Sequence, residues 1–291
     1  GDTTKNGTLT LTGAGTLTAN TTLTTASDVV LGTGVLGGAF SLTKLGGGSL
    51  TLSGANTFSG GATLNAGAVL VGSDLAFGTG LVTIAGALVS SDGTSARSVG
   101  NNYSLAATLT LGNSVRSGDL TFSGLGSLTG ETTLTAESKV TLSGVVSGNY
   151  GLTKEGTGEL ILSGSNTFTG GASVNAGTLT LGGGLAIADG AAVLVGGSGT
   201  LRLLDDETVG SLAGVGLVSL GSKKLKVGGV SVTEYSGVMS GAGSLEHAGT
   251  GTLTLSGVNT FSGGVTIGSG TVRVGNNAGL GTGSLTMAGG T

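Results

Sequence analysis

The residues of this chain that could perform chemistry are few, and its densest acidic cluster is Asp205, Asp206 and Glu207. Adjacent carboxylates of this kind can hold a calcium ion or supply the acid and base of a glycosidase or lyase. The nonapeptide that marks calcium-loaded β-rolls is not repeated anywhere in the sequence. We therefore expect the cluster to form a solvated turn, with a polysaccharide-acting site as the alternative.

Three lysines follow the acidic cluster, at Lys223, Lys224 and Lys226. They surround the apolar Leu225 in a pattern that is typical of an exposed strand face. Such a face is usually solvated, and contact with an anionic glycan is the functional alternative. If the chain is an enzyme, Lys223 joins the acidic cluster as a candidate catalytic group.

The chain has one histidine, His247, and no cysteine. Zinc sites and serine triads need histidine or cysteine in a convergent cluster. The sequence therefore predicts no catalytic residue, no cofactor-binding residue and no metal ligand. In the repeated block described below, His247 stands where two other copies carry Lys44 and Lys154. We interpret this position as a surface position that accepts different polar residues.

The elements that position these residues follow from the composition. Of 291 residues, 64 are glycine and none is proline, 37% are hydrophobic and 9% are charged. Collagen is excluded by the missing proline, and helices are disfavoured because glycine costs about 1 kcal/mol at each interior position. The net charge of −4 without a basic arm argues against a nucleic-acid partner. The sequence has no apolar run long enough for a membrane helix.

One block of sequence occurs three times. Gly48 to Gly61 reads GSLTLSGANTFSGG, Gly158 to Gly171 reads GELILSGSNTFTGG, and Gly251 to Gly264 reads GTLTLSGVNTFSGG. With its flanks the block defines modules 1, 2 and 3, which begin near Gly34, Gly144 and Gly237. The first interval between modules is 110 residues and the second is 93 residues. We interpret the difference of 17 residues, which is close to the length of one solenoid coil, as the insertion or loss of a whole coil.

Short segments such as Thr108–Leu111 alternate polar and apolar residues and end at glycine. Alternation marks strands with one buried face, and glycine supplies the positive φ of tight turns. The sequence predicts an all-β, right-handed parallel β-helix of roughly 14 coils, forming one rod-like domain over residues 1–291. We expect the repeated asparagines to bond neighbouring backbone and each repeated phenylalanine to fill its own coil. These residues are Asn56, Asn166, Asn259, Phe58, Phe168 and Phe261.

The run from Leu152 through Asn166-Thr167-Phe168 to Asn175-Ala176-Gly177 resembles the autotransporter-associated β-strand repeat of bacterial type V secreted proteins. A second stretch, from Thr208 to Gly214 and from Lys226 to Gly229, is similar to the same family. The resemblance implies a right-handed parallel β-helix at the bacterial surface or outside the cell, as a stalk, adhesin or matrix protein.

We therefore predict a non-enzymatic structural or adhesive rod, with no cofactor. A surface enzyme that acts on polysaccharide is the main alternative, and ice binding by threonine arrays is a third hypothesis. Both ends of the chain are strand-like and lack a polar cap. We expect either a fragment of a longer rod or copies that stack end to end into a filament. Adjoining solenoid segments, neighbouring copies and surface glycans are the expected partners.

Overall fold

Alternating apolar and polar residues form short parallel strands along the chain. The computed structural model describes residues 7–291, and all regular elements in this range are β-strands. The chain divides at Val145 into two compact units, called unit 1 and unit 2. In each unit, strands pair in parallel with strands about one coil away, as Leu42 does with Ala62. The predicted parallel β-solenoid of about 14 turns is confirmed, and the prediction of one domain over 1–291 stays a prediction.

Unit 1 has three faces of stacked strands. Face A consists of β1 (Leu9–Leu11), β4 (Val29–Leu31), β7 (Ser49–Leu52), β9 (Ala68–Val71), β11 (Leu88–Ser91), β14 (Thr108–Leu111) and β17 (Thr132–Ala136). Face B consists of β3 (Thr21–Thr24), β6 (Leu42–Leu45), β8 (Ala62–Leu64), β10 (Val82–Ile84), β13 (Tyr103–Leu105) and β16 (Gly126–Leu128). Face C consists of β12 (Arg97–Val99), β15 (Leu120–Phe122) and β18 (Val140–Leu142), and the short strands β2 (Gly15–Thr16) and β5 (Leu36–Gly37) pair separately.

Unit 2 begins with the short strand β19 (Val146–Ser147) and also has three faces. Face D consists of β20 (Leu152–Glu155), β25 (Ser211–Gly214), β28 (Val232–Tyr235), β31 (Thr252–Leu255), β33 (Thr271–Val274) and the first halves of β22 (Ala172–Leu181) and β23 (Ala192–Leu203). Face E consists of the second halves of β22 and β23 with β21 (Glu159–Leu162), β26 (Leu217–Ser219) and β29 (Val238–Ser240). Face F consists of β24 (Glu207–Val209), β27 (Lys224–Val227), β30 (Ser244–His247), β32 (Val265–Ile267) and β34 (Leu285–Met287).

The core of each unit is a column of apolar side chains on the inner surface of every face. Leu50 and Leu52 are fully buried while Thr51 between them is half-buried, as the alternation predicts. Burying one such leucine stabilises the fold by about 2 kcal/mol. The three repeated phenylalanines are also fully buried, each within its own coil. The expectation for Phe58, Phe168 and Phe261 is therefore confirmed.

Some glycines are required for close approach between coils and not for an unusual φ. Gly237 has no positive φ, yet a Cβ at this position would overlap the carbonyl oxygen of Gly216 in the preceding coil. The coils of unit 2 can stack at this corner only because Gly237 lacks a side chain. The positive φ of turns is thus one of two reasons for the high glycine content.

Modules 2 and 3 start on different faces of the unit 2 coil. Lys154 stacks in register under Val174, and that ladder continues through Val195 and Gly214 to Tyr235 and Leu255 on face D. His247, the equivalent of Lys154 in module 3, stands instead on face F. The interpretation of the difference between the intervals as the insertion or loss of a whole coil is therefore wrong. The module is rotated by one face, because each face offers an equivalent inner surface to a repeat.

Candidate functional site

The side chains of the three acidic residues make contacts with different partners. The carboxylate of Asp205 accepts a hydrogen bond from the backbone N–H of Gly183 at 2.8 Å and lies 3.4 Å from Lys223 Nζ. These two contacts hold the pKa of Asp205 below its ordinary value. Asp206 is exposed and accepts a hydrogen bond from the backbone N–H of Lys224 at 2.8 Å. Asp205 and Lys223 therefore form a surface contact between adjacent coils.

Glu207 is buried, so the prediction of a solvated turn is wrong for this residue. Its side chain is only 2% exposed, and its two carboxylate oxygens accept the backbone N–H groups of Ala186 and Ile187 at 3.2 and 2.8 Å. Burial raises the pKa of Glu207 to about 7, against the opposing effect of these two hydrogen bonds. Because Glu207 is the first residue of β24, the alternation of that strand turns it inward with Val209. Its carboxylate thus satisfies the backbone of the preceding coil.

The lysines of β27 lie on the outer surface of face F, as the sequence predicts. Leu225 between them is fully buried. Lys224 Nζ and Lys226 Nζ lie 3.0 and 3.6 Å from the carboxylate oxygens of Glu246 on the next coil. Their hydrogen bonds and charges lower the pKa of Glu246, and Glu246 raises the pKa of Lys224. These exposed ion pairs contribute little to stability.

The basic residue of the repeat is inside the coil, and the interpretation of a surface position is wrong. Lys44 and Lys154 are fully buried and His247 is 2% exposed. Lys44 Nζ donates to the carbonyl oxygens of Leu45 and Gly46 at 2.9 Å and of Ala66 at 3.0 Å. Burial lowers the pKa of Lys44. The ammonium group is therefore solvated by carbonyls of its own turn and of the next coil.

Module 2 repeats this arrangement with the same geometry. Lys154 Nζ donates to the carbonyl oxygens of Glu155, Gly156 and Ala176 at 2.7, 2.8 and 3.1 Å. We call the three carbonyl oxygens around each lysine the carbonyl cage. Two of these carbonyls belong to the turn that ends the lysine's own strand and the third belongs to the coil above, so the lysine fastens two coils together.

Module 3 fills the same position with two side chains, those of His247 and Ser269. His247 Nε2 lies 3.1 Å from the carbonyl oxygen of Gly251, and within residues 7–291 its Nδ1 has no hydrogen-bond partner. Ser269 Oγ donates to the carbonyl oxygens of Ala248 and Gly249 at 2.6 and 3.0 Å. Modules 1 and 2 have alanine at the position of Ser269. The single hydroxyl hydrogen of Ser269 is therefore shared between two carbonyl oxygens, whose equivalents in modules 1 and 2 accept hydrogen bonds from the lysine.

The repeated asparagines each join three coils, which confirms the expected structural role. Asn56 Oδ1 accepts the backbone N–H of Leu36 at 2.9 Å, and its Nδ2 donates to the carbonyl oxygen of Ala76 at 2.7 Å. Asn166 makes the same pair of bonds to Val146 and Ala186. Asn259 makes them to Met239 and Gly279. Each amide is satisfied by backbone one coil below and one coil above.

The polar side chains do not converge on a catalytic arrangement in the part of the chain that the structure describes. Within residues 7–291 no three histidine, aspartate or glutamate side chains lie close enough to hold a metal ion. The same residues include no helix long and apolar enough to cross a membrane. What the repeat's polar residues do instead is satisfy backbone groups between coils.

Sequence reasoning missed the burial of the basic residue, although the alternation contained the signal. In β6 the order Leu42, Thr43, Lys44 places Lys44 on the same side of the strand as the buried Leu42. The charge of Lys44 suggested an exposed position, while its place in the alternation of β6 predicts a buried one.

Comparison with known proteins agrees with this architecture. The chain matches the Passenger-associated-transport-repeat family over residues 42–71, 152–181 and 240–274. It is similar to the adhesin BmaC autotransporter of Brucella suis biovar 1 (strain 1330), with 36% identity over 197 residues, which is 65% of this chain. The chain spans about 6% of the length of that relative. No solved structure matches the chain.

The matched ranges begin at or near the strands that carry the basic residue of each module and end within the following coil, at the ends of β9, β22 and β33. The predicted resemblance is confirmed for these three ranges, and for the stretch from Thr208 to Gly229 it stays a prediction. The repeats and the relative also confirm the predicted location, which is outside the cell or at the cell surface.

Proposed function

Because the chain carries three passenger-associated-transport repeats, we propose that it is a non-enzymatic structural and adhesive segment of a bacterial autotransporter passenger. The observation that supports this proposal most strongly is the use of the repeat's polar side chains. Lys44, Lys154 and Asn166 are all buried, and all bond the backbone of adjacent coils. The residues that define the repeat therefore build the scaffold.

Stiffness follows from the register of the strands. In both units each coil bonds to the next through parallel strands, and the buried lysines and asparagines add bonds at the corners between strands. A solenoid built in this way transmits force along its axis, since each coil contacts only its neighbours. Such a segment can hold an adhesive surface away from the cell.

Adhesion is the second part of the proposal, and the relative's name supports it. A repetitive outer surface offers many copies of a weak contact, and weak contacts on one rigid body combine into strong attachment. End-to-end stacking of copies, or of adjoining solenoid segments, remains a proposal about partners. Negative-stain images of the purified chain at high concentration test it, and single short particles would contradict it.

The alternative of a polysaccharide-cleaving enzyme has little support from the site. Both oxygens of Glu207 are engaged by backbone N–H groups, and Asp205 contacts Gly183 and Lys223. If Asp206→Ala abolished a measurable cleavage of glycan while the β-rich circular dichroism was unchanged, the chain would be an enzyme.

The proposed function is tested by display of the chain on a non-adherent bacterium, fused to an unrelated autotransporter translocator. The control is the same carrier without the chain. We expect cells that display the chain to attach to host cells or to coated surfaces more strongly than control cells. Equal attachment of both strains, with the chain shown to be exposed by its protease sensitivity, would contradict the adhesive role.

A further inference from the structure

The outward positions of the face B strands in unit 1 carry no charged residue. The central outward residue of each strand is a hydroxyl residue, and the register places these residues directly above one another. In order along the axis they are Thr22, Thr43, Thr63, Thr83, Ser104 and Ser127. At the spacing of about 4.8 Å between adjacent strands, this hydroxyl column is about 24 Å long.

Two further columns flank the hydroxyl column on the same face. One contains Asn20, Ser41, Gly61, Leu81, Asn102 and Leu125, and the other contains Thr24, Leu45, Asn65, Ala85, Ala106 and Thr129. We call these 18 positions the neutral face. The charged residues of unit 1 within residues 7–145 all lie elsewhere, and Lys44 on β6 points into the core.

Five of the six hydroxyl residues of the column are exposed or half-buried, and the sixth, Ser104, is only 7% exposed. Thr43 and Thr63 are half-buried, and neither hydroxyl bonds another group within residues 7–291. Ser104 Oγ donates to Thr83 Oγ1 at 3.2 Å, which leaves the other lone pair of Thr83 free. The neighbouring Leu81 and Leu125 are 51% and 59% exposed. The face therefore combines regularly spaced hydroxyls with apolar surface.

The absence of charged and aromatic side chains from the neutral face favours some classes of ligand over others. An anionic glycan or a nucleic acid would need lysine or arginine, which the neutral face lacks. A protein partner is usually held by aromatic or arginine anchors, and none of the 18 positions carries one. A linear polysaccharide without charge offers hydroxyls and C–H surface along an extended chain, and it could contact several coils at once.

We propose that the neutral face binds a linear, uncharged polysaccharide, an inference that rests on the proposed adhesive function. The hydroxyl column supplies hydrogen bonds in register with the ligand chain, and Leu45, Leu81 and Leu125 contact its apolar surfaces. Because neither partner is charged, the binding does not depend on salt.

The test is co-sedimentation of the full chain with insoluble cellulose, chitin and β-1,3-glucan, with calcium alginate gel as an anionic contrast. The variant Thr63→Lys places a charge at the centre of the column, and Thr43→Asp places one of opposite sign beside it. The matched control is Thr121→Lys, at an outward position of face C. Circular dichroism checks that all variants are folded.

We expect binding to at least one neutral polysaccharide, unchanged from low to high salt. Both face B variants should weaken it about tenfold, because a charge desolvated against a neutral ligand is unfavourable, while Thr121→Lys leaves it unchanged. Binding to alginate alone, loss of binding in high salt or equal binding by all variants would overturn the inference. So would thermal hysteresis or self-association that Thr63→Lys abolishes.

Failure of this inference is distinguishable from failure of the proposed function. If displayed chain promotes attachment and Thr63→Lys leaves that attachment intact, adhesion stands and the neutral face is not its surface. If the displayed wild-type chain promotes no attachment, the adhesive function itself is wrong, whatever the co-sedimentation shows.

Discussion

The ammonium group of Lys44 lies against Gly67 of the next coil. A Cβ on Gly67 would stand 2.8 Å from Lys44 Nζ and 2.5 Å from the carbonyl oxygen of Gly48, and it would overlap the carbonyl oxygen of Gly46. Gly67 also has a positive φ of 71°. The basic residue and this glycine therefore form one structural unit, in which the missing side chain leaves room for the carbonyl cage. Modules 2 and 3 repeat the relationship.

Gly67→Ala should destabilise its coil by about 2–4 kcal/mol, because a Cβ there meets the cage and the backbone is left-handed. The measurement is hydrogen–deuterium exchange of peptides that cover residues 42–71. Gly47→Ala is the control, since no atom lies within 4 Å of a Cβ at that position. If both variants exchange alike, Gly67 is not required by the cage.

A double-mutant cycle tests the replacement of the lysine in module 3. His247→Lys alone places an ammonium in competition with Ser269 Oγ, and Ser269→Ala alone leaves the carbonyl oxygens of Ala248 and Gly249 without that donor. Each single change should destabilise the coil, and the double change should restore it, with a coupling energy of about 1 kcal/mol or more. Additive effects of the two changes would show that the residues do not share one position.

Glu207 predicts a pH dependence of stability. Burial raises its folded-state pKa to about 7 from an ordinary value of 4.5, and the charges of Asp189 and Asp205 raise it further. The protonated form is therefore favoured in the fold, and its contribution is complete below pH 4.5 and lost as the pH rises through about 7.

Glu207→Gln keeps one neutral acceptor oxygen for the backbone N–H groups of Ala186 and Ile187 and loses the other, and this loss is the same at every pH. The urea midpoint of the wild type should fall relative to that of Glu207→Gln between pH 4.5 and pH 7. A difference between the two midpoints that is constant over this range would contradict the burial of an ionisable carboxyl. Asp206→Asn, at an exposed position, serves as the control.

The alternation of apolar and polar residues was enough to predict the solenoid and its core. Leu50, Leu52 and Phe58 are buried as expected, because inward apolar residues need no specific partner. The roles of Asn56 and its equivalents also follow from the sequence, since asparagine at a corner commonly bonds backbone.

The buried charges could not be predicted in the same way. Lysine and glutamate are almost always exposed unless they are paired. The partners of Lys44 are backbone carbonyl oxygens, two beside it in sequence and one on the next coil. The pattern of side chains in the sequence does not predict such backbone partners. The rotation between modules 2 and 3 was missed for a related reason. The interval between repeats does not say on which face a repeat begins.

The central claim is that the polar residues that define the repeat are structural, and Lys44→Met tests it most directly. The substitution keeps most of the length of the side chain and removes the Nζ donor from the carbonyl oxygens of Leu45, Gly46 and Ala66. Of these, the oxygen of Leu45 keeps a second donor, the backbone N–H of Thr25. Lys139→Met removes an exposed lysine that pairs with Asp119 and is the matched control. Both variants are measured by hydrogen–deuterium exchange and by attachment of cells that display the chain.

Lys44→Met should lower the protection of the coil around residues 42–71 by about 2–4 kcal/mol, while Lys139→Met changes it by less than about 1 kcal/mol. Attachment should be lost only to the extent that the fold is lost. Full protection in Lys44→Met, together with loss of attachment, would mean that the lysine serves binding or chemistry and would contradict the account.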